Sequence, residues 1–403
     1  MMPLVNMQDM LTHAYDNAYA VGSFNILSLD FLEGVLRAAE RVRAPVILGL
    51  SEPHFDHYDI AALLPAVESA AKRAEVPVAI HFDHGSSIEP VQRAIALGCN
   101  GVMIDASHAP LEENLKTTRQ VVEMAHACGV PVEAELGYVP EADEGGADLL
   151  SFTTVDQARG FIKHTGADFL AVSIGTVHGH LKGKPRLDYQ RLRHINDALG
   201  IPLVIHGGSG LSDDQYHRLI TGGVAKINYH TALSERAAKT IRSHGKSVQD
   251  YAGLMEGVRE AIATEAEQCM RNWGSAGRAA EVISRCRGWS TAVQLTQFNV
   301  EMAAVDDMQM VLARGRRLLG AIPGVREVST GHTTADGARH RFFWQVTLNH
   351  VDAAEAYLRH PNYRDFSHRL LAGISSDKQA LLYQSLGSLP SEGATSAEAA
   401  NWG

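Results

Sequence analysis

Between residue 19 and about residue 232 the chain alternates short, almost wholly apolar runs with longer amphipathic stretches, and this alternation restricts its fold more than any other feature. The runs fall at 19–24, 46–50, 78–81, 101–104, 131–136, 169–174, 203–205 and 225–227. Strands apolar on both faces belong to a parallel sheet that is buried on both sides. The stretches between them, at 29–41, 60–74, 89–97, 111–128, 154–165, 189–199 and 212–221, have helical spacing. Several open at or just after Asp, Ser or Thr, which can accept from the free N–H groups of a first turn. Eight strands with helical crossovers predict an α/β chain folded as a closed (β/α)8 TIM barrel, with an open doubly wound sheet as the alternative.

A length of 403 residues leaves room for a second unit of roughly 100 residues beyond such a barrel. From 233 to about 283 the pattern is helical, and after Gly288-Trp289-Ser290 it changes. Strands are predicted at 292–298, 326–331, 341–348 and 379–383, with helices at 306–319, 351–359 and 363–371. That βαββαβ order predicts a ferredoxin-like α+β domain. The expected organisation is a barrel over 1–285, the second domain over 286–388 and a flexible tail over 389–403.

The formal net charge of −10 offers no basic surface for a phosphate backbone, so nucleic acid is not an expected partner. No apolar run is long enough to span a bilayer, and the first residues lack the basic and apolar regions of a signal peptide, so no membrane association and a cytoplasmic location are expected. Cys99, Cys128, Cys269 and Cys286 show neither paired metal spacing nor the density of a disulfide framework.

Three histidines stand just after predicted strands: His84 in His81-Phe82-Asp83-His84-Gly85, His178 in Gly175-Thr176-Val177-His178-Gly179, and His206 in His206-Gly207-Gly208. Any single one of the 20 histidines is more often a satisfied or solvated residue than a ligand. In a barrel, however, strand ends distant in sequence meet at one mouth, and three imidazoles there match a catalytic zinc with an open coordination position. Asp83 is the expected general acid/base, its side chain diverging from that of His84; capping the next helix is the blander role, and Ser86 and Ser87 can fill it. Gly207-Gly208-Ser209-Gly210 and the segment Lys226-Ile227-Asn228-Tyr229-His230-Thr231 offer N–H groups, a hydroxyl and a cation where α/β barrels bind phosphate, although a Gly-Gly-Ser-Gly run alone is also an ordinary tight turn.

On these motifs, and on Ala20-Val21-Gly22-Ser23-Phe24-Asn25 and Gly274-Ser275-Ala276-Gly277-Arg278, residues 2–283 resemble the class II ketose-bisphosphate aldolases, the fructose- and tagatose-bisphosphate enzymes. The resemblance implies a lyase of carbohydrate metabolism in which His84, His178 and His206 hold Zn2+ or another divalent metal. Asp83 would exchange a proton at the bond being cut, and the metal would stabilise the enediolate of a dihydroxyacetone-phosphate unit. It implies phosphate and triose contacts from Gly179, Gly207, Ser209, Asn228 and Thr231, and places Asn25 and Ser51 on the other side of the pocket. Asp105 and Glu135 match an alternative metal position, and a monovalent cation, Na+ or K+, is a further implied cofactor.

Two departures from the family's pattern matter. The loop after Glu135-Leu136-Gly137 reads Tyr138-Val139-Pro140-Glu141-Ala142-Asp143-Glu144-Gly145-Gly146 and departs from the family's acidic loop, so the glutamate that the resemblance implies for carbon deprotonation would be Glu144 or Glu141. His230 stands where the fructose enzymes tend to carry Asp or Asn and the tagatose enzymes a small residue, as a substrate-binding position. Residues 289–386 are similar to the stress-responsive dimeric α/β-barrel family, on Ile322-Pro323-Gly324-Val325 and His360-Pro361, which implies a homodimer or higher homo-oligomer. The expected partner is a small phosphorylated sugar. A zinc-dependent hydrolase or epimerase on the same barrel, and a non-catalytic metal-binding scaffold, are the alternatives.

Overall fold

The computed structural model describes residues 3–139, 152–177, 179, 187–244, 248, 250–300 and 308–384. Strands β1 (Val21–Asn25), β2 (Val46–Ser51), β3 (Val78–Gly85), β4 (Gly101–Ile104), β5 (Val132–Leu136), β6 (Phe169–Val172), β7 (Leu203–Ile205) and β8 (Val224–Tyr229) pair in that order. The last closes on the first in parallel, with Val21 opposite Lys226 and Phe24 opposite Tyr229. This is the closed barrel, and the open sheet is excluded. Around it run α2 (Leu29–Val42), α3 (Ile60–Arg73), α4 (Ile88–Leu97), α5 (Leu111–His126), α6 (Val155–Thr165), α7 (Tyr189–Leu199), α8 (Asp213–Ile220), α9 (Thr231–His244), α10 (Tyr251–Asn272) and α11 (Ala279–Arg285). The capping reading holds where it is most explicit: Thr154 with Gln157 and Ser212 with Gln215 form reciprocal boxes at the starts of α6 and α8.

A helix absent from the expected pattern, α1 (Met7–Asp16), precedes the barrel. Its buried Met7, Met10, Leu11 and Ala14 follow i, i+3, i+4, i+7 spacing. They join Val21, Ile47, Ala79 and Phe169 in a small apolar cluster separate from the large one that includes Phe31, Val35 and Leu64 of the surrounding helices. The helix thus closes the amino-terminal end of the barrel, where Asn100 Nδ2 also donates to Val5 O at 2.7 Å.

Beyond α11, strands β9 (Ala292–Val300), β10 (Val325–His332), β11 (Phe342–Leu348) and β12 (Ser375–Gln384) form one antiparallel sheet in the order β10-β11-β9-β12. With α12 (Met308–Gly320) after β9, and α13 (Ala353–Arg359) and α14 (Pro361–Asp365) after β11, this is the βαββαβ arrangement predicted. The expected helix at 363–371 is instead α14 continued by a π-helical stretch, Phe366–Leu371. The inward residues of β9 and β11, among them Phe298, Trp344, Val346 and Leu348, are buried under these helices. The tail expected at 389–403 lies outside the described residues.

The sheet docks on the loops that end α4 and α5, at the amino-terminal end of the barrel. Arg326 of β10 forms a two-pronged ion pair with Glu68 of α3 at 2.7 and 2.6 Å and donates to Leu97 O at 3.2 Å. Asn349 donates to Cys128 O at 3.2 Å, and Trp289 stacks on His350 at 4.1 Å. Burial would raise the Glu68 carboxyl, but Arg326 and Lys72 outweigh it and hold the group below its ordinary value of 4.5. A depressed folded-state pKa contributes stability that is present above about 4.5 and lost as pH falls through the lower value. Arg326→Ala is expected to cost about 3 kcal/mol, the low end for breaking a buried pair, because Lys72 stays 2.8 Å from Glu68. Tryptophan-monitored urea unfolding measures it, and the gap from wild type should narrow as the buffer is acidified below about pH 4.5. An equal midpoint for both proteins at neutral pH would show that the pair does not hold the sheet.

Candidate active site at the barrel mouth

At the carboxyl ends of the strands lies a cavity of about 650 Å³. Asn25 and Ser51, the last residues of β1 and β2, line it together with Asp83 and His84 of β3. Strict alternation along a strand would send two successive side chains to opposite faces. Here the register shifts between Phe82 and Gly85, and His84 adopts a left-handed φ of 53°. β3 continues past the predicted stop at residue 81 because Phe82 and Asp83 pair with Leu50 and Ser51 of β2, and the bulge against β4 turns both Asp83 and His84 toward the mouth. No residue of the appended sheet lines this cavity among the described residues.

A chain of hydrogen bonds fixes the imidazoles. His84 Nδ1 lies 2.8 Å from Asp105 Oδ2, His84 Nε2 lies 2.9 Å from His206 Nδ1, and His206 Nε2 lies 2.8 Å from Glu133 Oε1. Burial keeps His206 below its ordinary pKa despite Glu133. Burial also disfavours charge on His84, but Asp83 and Asp105 outweigh it and raise that group to about 10. His84 therefore donates from both nitrogens, and a neutral His206 donates from Nε2 while presenting its Nδ1 lone pair to His84. Glu133 is held at about 2, against its burial, by the Lys226 ammonium 2.7 Å away and by His206.

Asp83 is buried, and Asn228 Nδ2 donates to its Oδ1 at 2.9 Å. Burial would raise this carboxyl, but the charged His84 and Lys226, with the neighbouring His206 imidazole, hold it well below the carboxylate range. Asp105 is likewise held low against burial by His84 and Ser107, whereas burial and the neighbouring Asp105 charge push Glu135 well above its ordinary value. Ligand atoms of Asp83, His84 and His206 all lie within 4.8 Å of one another, and so do those of His84, Asp105 and Glu135.

These donors fit a divalent ion. Two imidazole nitrogens about 2.0–2.1 Å from a shared tetrahedral ion would stand about 3.4 Å apart, so the 2.9 Å pair needs only a small opening and loss of the shared proton. Borderline-soft nitrogen with carboxylate nearby suits zinc among the common metals.

A family model described as fructose-bisphosphate aldolase class-II matches residues 5–278. The chain belongs to this family. This class II aldolase is 40% identical over 286 residues to a fructose-bisphosphate aldolase from Staphylococcus aureus, an alignment covering 69% of the chain and all of the relative. It is 41% identical over 287 residues to the fructose-bisphosphate aldolase of Geobacillus stearothermophilus, with 70% and 100% covered. Among solved structures, the YdjI aldolase from Escherichia coli K12 superposes with a TM-score of 0.64 at 35% identity, covering 68% of this chain and 99% of that one. The chain is accordingly a metal-dependent aldolase, a carbon–carbon lyase, and the hydrolase, epimerase and scaffold alternatives are not favoured.

In this aldolase the expected Gly179, Gly207, Ser209, Asn228, His230 and Thr231 line the same cavity as Asp83, His84 and Asp105. Glu135 and His206 stand behind that lining, in contact with its ligating groups. His178, Glu141 and Glu144 lie outside the described residues. One expectation is corrected. Lys226 is not a phosphate-side cation: it is fully buried inside the barrel, paired with Glu133 and donating to Asn228 Oδ1 at 2.6 Å. Glu133 itself was not anticipated, although a carboxylate two positions before Glu135 in an otherwise apolar strand marks it as facing the same side. Among the described residues no helix is long and apolar enough to cross a membrane.

Proposed function

We propose that this aldolase cleaves or joins a phosphorylated ketose, a ketose bisphosphate or a related phosphoketose, with zinc held by His84, His178 and His206. The observation that carries the reading is the meeting, at one cavity, of an ionised buried carboxylate, a lining imidazole backed by a second one, and a glycine- and hydroxyl-bearing rim. Zinc bound there supplies an electrophile that draws electron density onto the ketone oxygen.

The chain's own groups supply the rest. In the cleavage direction Asp83 takes the proton from the hydroxyl on the carbon that becomes the aldehyde, as the carbon–carbon bond breaks and its electron pair stays with the ketone fragment. Asn228 orients Asp83, and Lys226 orients Asn228 in turn. Glu144, or Glu141, returns a proton to carbon. The phosphate is held at the start of α9, where Thr231, Gly207 and Ser209 line the cavity and Ser209 Oγ accepts from Ala232 N at 3.4 Å, since a helix amino terminus favours an anion. Asp105 and Glu135 serve as a second metal position; a Na+ or K+ ion, assembly into a homodimer or larger oligomer, and a cytoplasmic location complete the proposal.

The test is a panel of phosphoketoses assayed for triose phosphate release before and after chelator dialysis. Activity should vanish with the metal and return with zinc, while borohydride with substrate traps no covalent adduct. A trapped adduct, or full activity after chelation, would sink the proposal.

A further inference from the structure

Two imidazoles on the cavity wall take no part in the proton path above. His54, in the 3-10 turn Glu52–His54 after β2, and His230, between β8 and α9, face each other with ring centroids 4.4 Å apart and planes inclined by 43°. Both line the cavity. The Nδ1 of each is buried and finds no hydrogen-bond partner among the described residues, and the same is true of Asn25 Oδ1 on the same wall. With that nitrogen turned away from solvent, what each ring offers the cavity is its other nitrogen, Nε2. Burial lowers both imidazoles, His230 to about 4, so at neutral pH each keeps one N–H donor and one lone pair.

The wall formed by Asn25, Ser51, His54 and His230 is therefore polar but uncharged, and the cavity lining among the described residues includes no lysine or arginine. A sugar hydroxyl, donor and acceptor at once, complements such groups on both counts, whereas a phosphate dianion offers only acceptors to them.

We infer that His54 and His230 are specificity-determining residues for the aldehyde half of the substrate, selecting an uncharged, hydroxyl-bearing aldehyde over one that ends in a second phosphate. This rests on the aldolase reading of the cavity and narrows it to ketose monophosphates whose non-phosphorylated end lies against these rings.

The experiment is aldol condensation by the zinc-loaded full chain, with dihydroxyacetone phosphate as donor and glyceraldehyde, glyceraldehyde 3-phosphate or propanal as acceptor. Wild type should show the highest kcat/KM with glyceraldehyde. In His54→Phe and His230→Phe, which keep ring volume and remove the polar nitrogens, the glyceraldehyde-to-propanal ratio should fall by roughly tenfold. His54→Gln and His230→Gln, which retain a donor and an acceptor, should hold the ratio nearer wild type. An unchanged ratio in both Phe variants overturns the inference, and so does a wild-type preference for glyceraldehyde 3-phosphate, while either result leaves the aldolase reading standing. Should a Phe variant not fold, the wild-type comparison of the two glyceraldehydes still decides. A wild type that joins dihydroxyacetone phosphate to no aldehyde overturns the aldolase reading and the inference with it.

Discussion

The full chain carrying Asp83→Ala is expected to bind zinc normally and to turn over its phosphoketose roughly 10²- to 10⁴-fold more slowly, the usual contribution of a positioned acid/base group. Asp83 is the ionised carboxylate at the mouth that Asn228 orients and that three positive or proton-bearing neighbours keep charged. Its loss leaves the His84–His206 pair intact, so metal content should be unaffected. The defect should fall on kcat more than on KM, because the proton moves only as the bond breaks. Steady-state kinetics beside metal analysis of the same preparation checks both halves. Near wild-type turnover would remove Asp83 from the mechanism, and loss of zinc would recast it as a ligand.

His206→Ala should instead lose the metal. Its Nδ1 faces His84, while its Nε2 is fixed on Glu133, so the ring is held in the tautomer that presents a lone pair to a shared ion. Removing it deletes one donor and leaves Glu133 with Lys226 at 2.7 Å and His81 at 3.6 Å inside the barrel. The loss of zinc affinity should exceed the roughly 10–100-fold typical of deleting a supporting partner of a metal ligand. Zinc content after dialysis against a competing chelator, with Asp83→Ala as the control, makes the distinction. A His206→Ala protein that keeps its zinc would show that this imidazole is not needed to hold the ion.

Much of this architecture is legible in the chain because eight apolar strands buried on both faces leave little room for another fold. Helix α1 escaped that reading although Met7, Met10, Leu11 and Ala14 carry a helical period, since it precedes the repeating βα pattern and serves as a plug rather than a crossover. Residue spacing sets His84 near a strand end, but its convergence with Asp83 depends on a bulge and a positive φ that spacing does not encode. The inward direction of Lys226 is hidden for a related reason: proximity to glycine loops says nothing about direction, and its spacing of two from Asn228 turns both inward, toward Glu133 and Asp83. His54 could not be found from spacing at all, because a single 3-10 turn has no period and only the folded chain sets it against His230.

The clasp of Arg326, Asn349 and Trp289 on Glu68 of α3, Cys128 and Leu4 fastens the appended sheet to the floor of the barrel, opposite the cavity at the roof. Any particle or surface to which the molecule is moored through that sheet would leave the entrance pointing outward, so immobilisation need not throttle the supply of sugar.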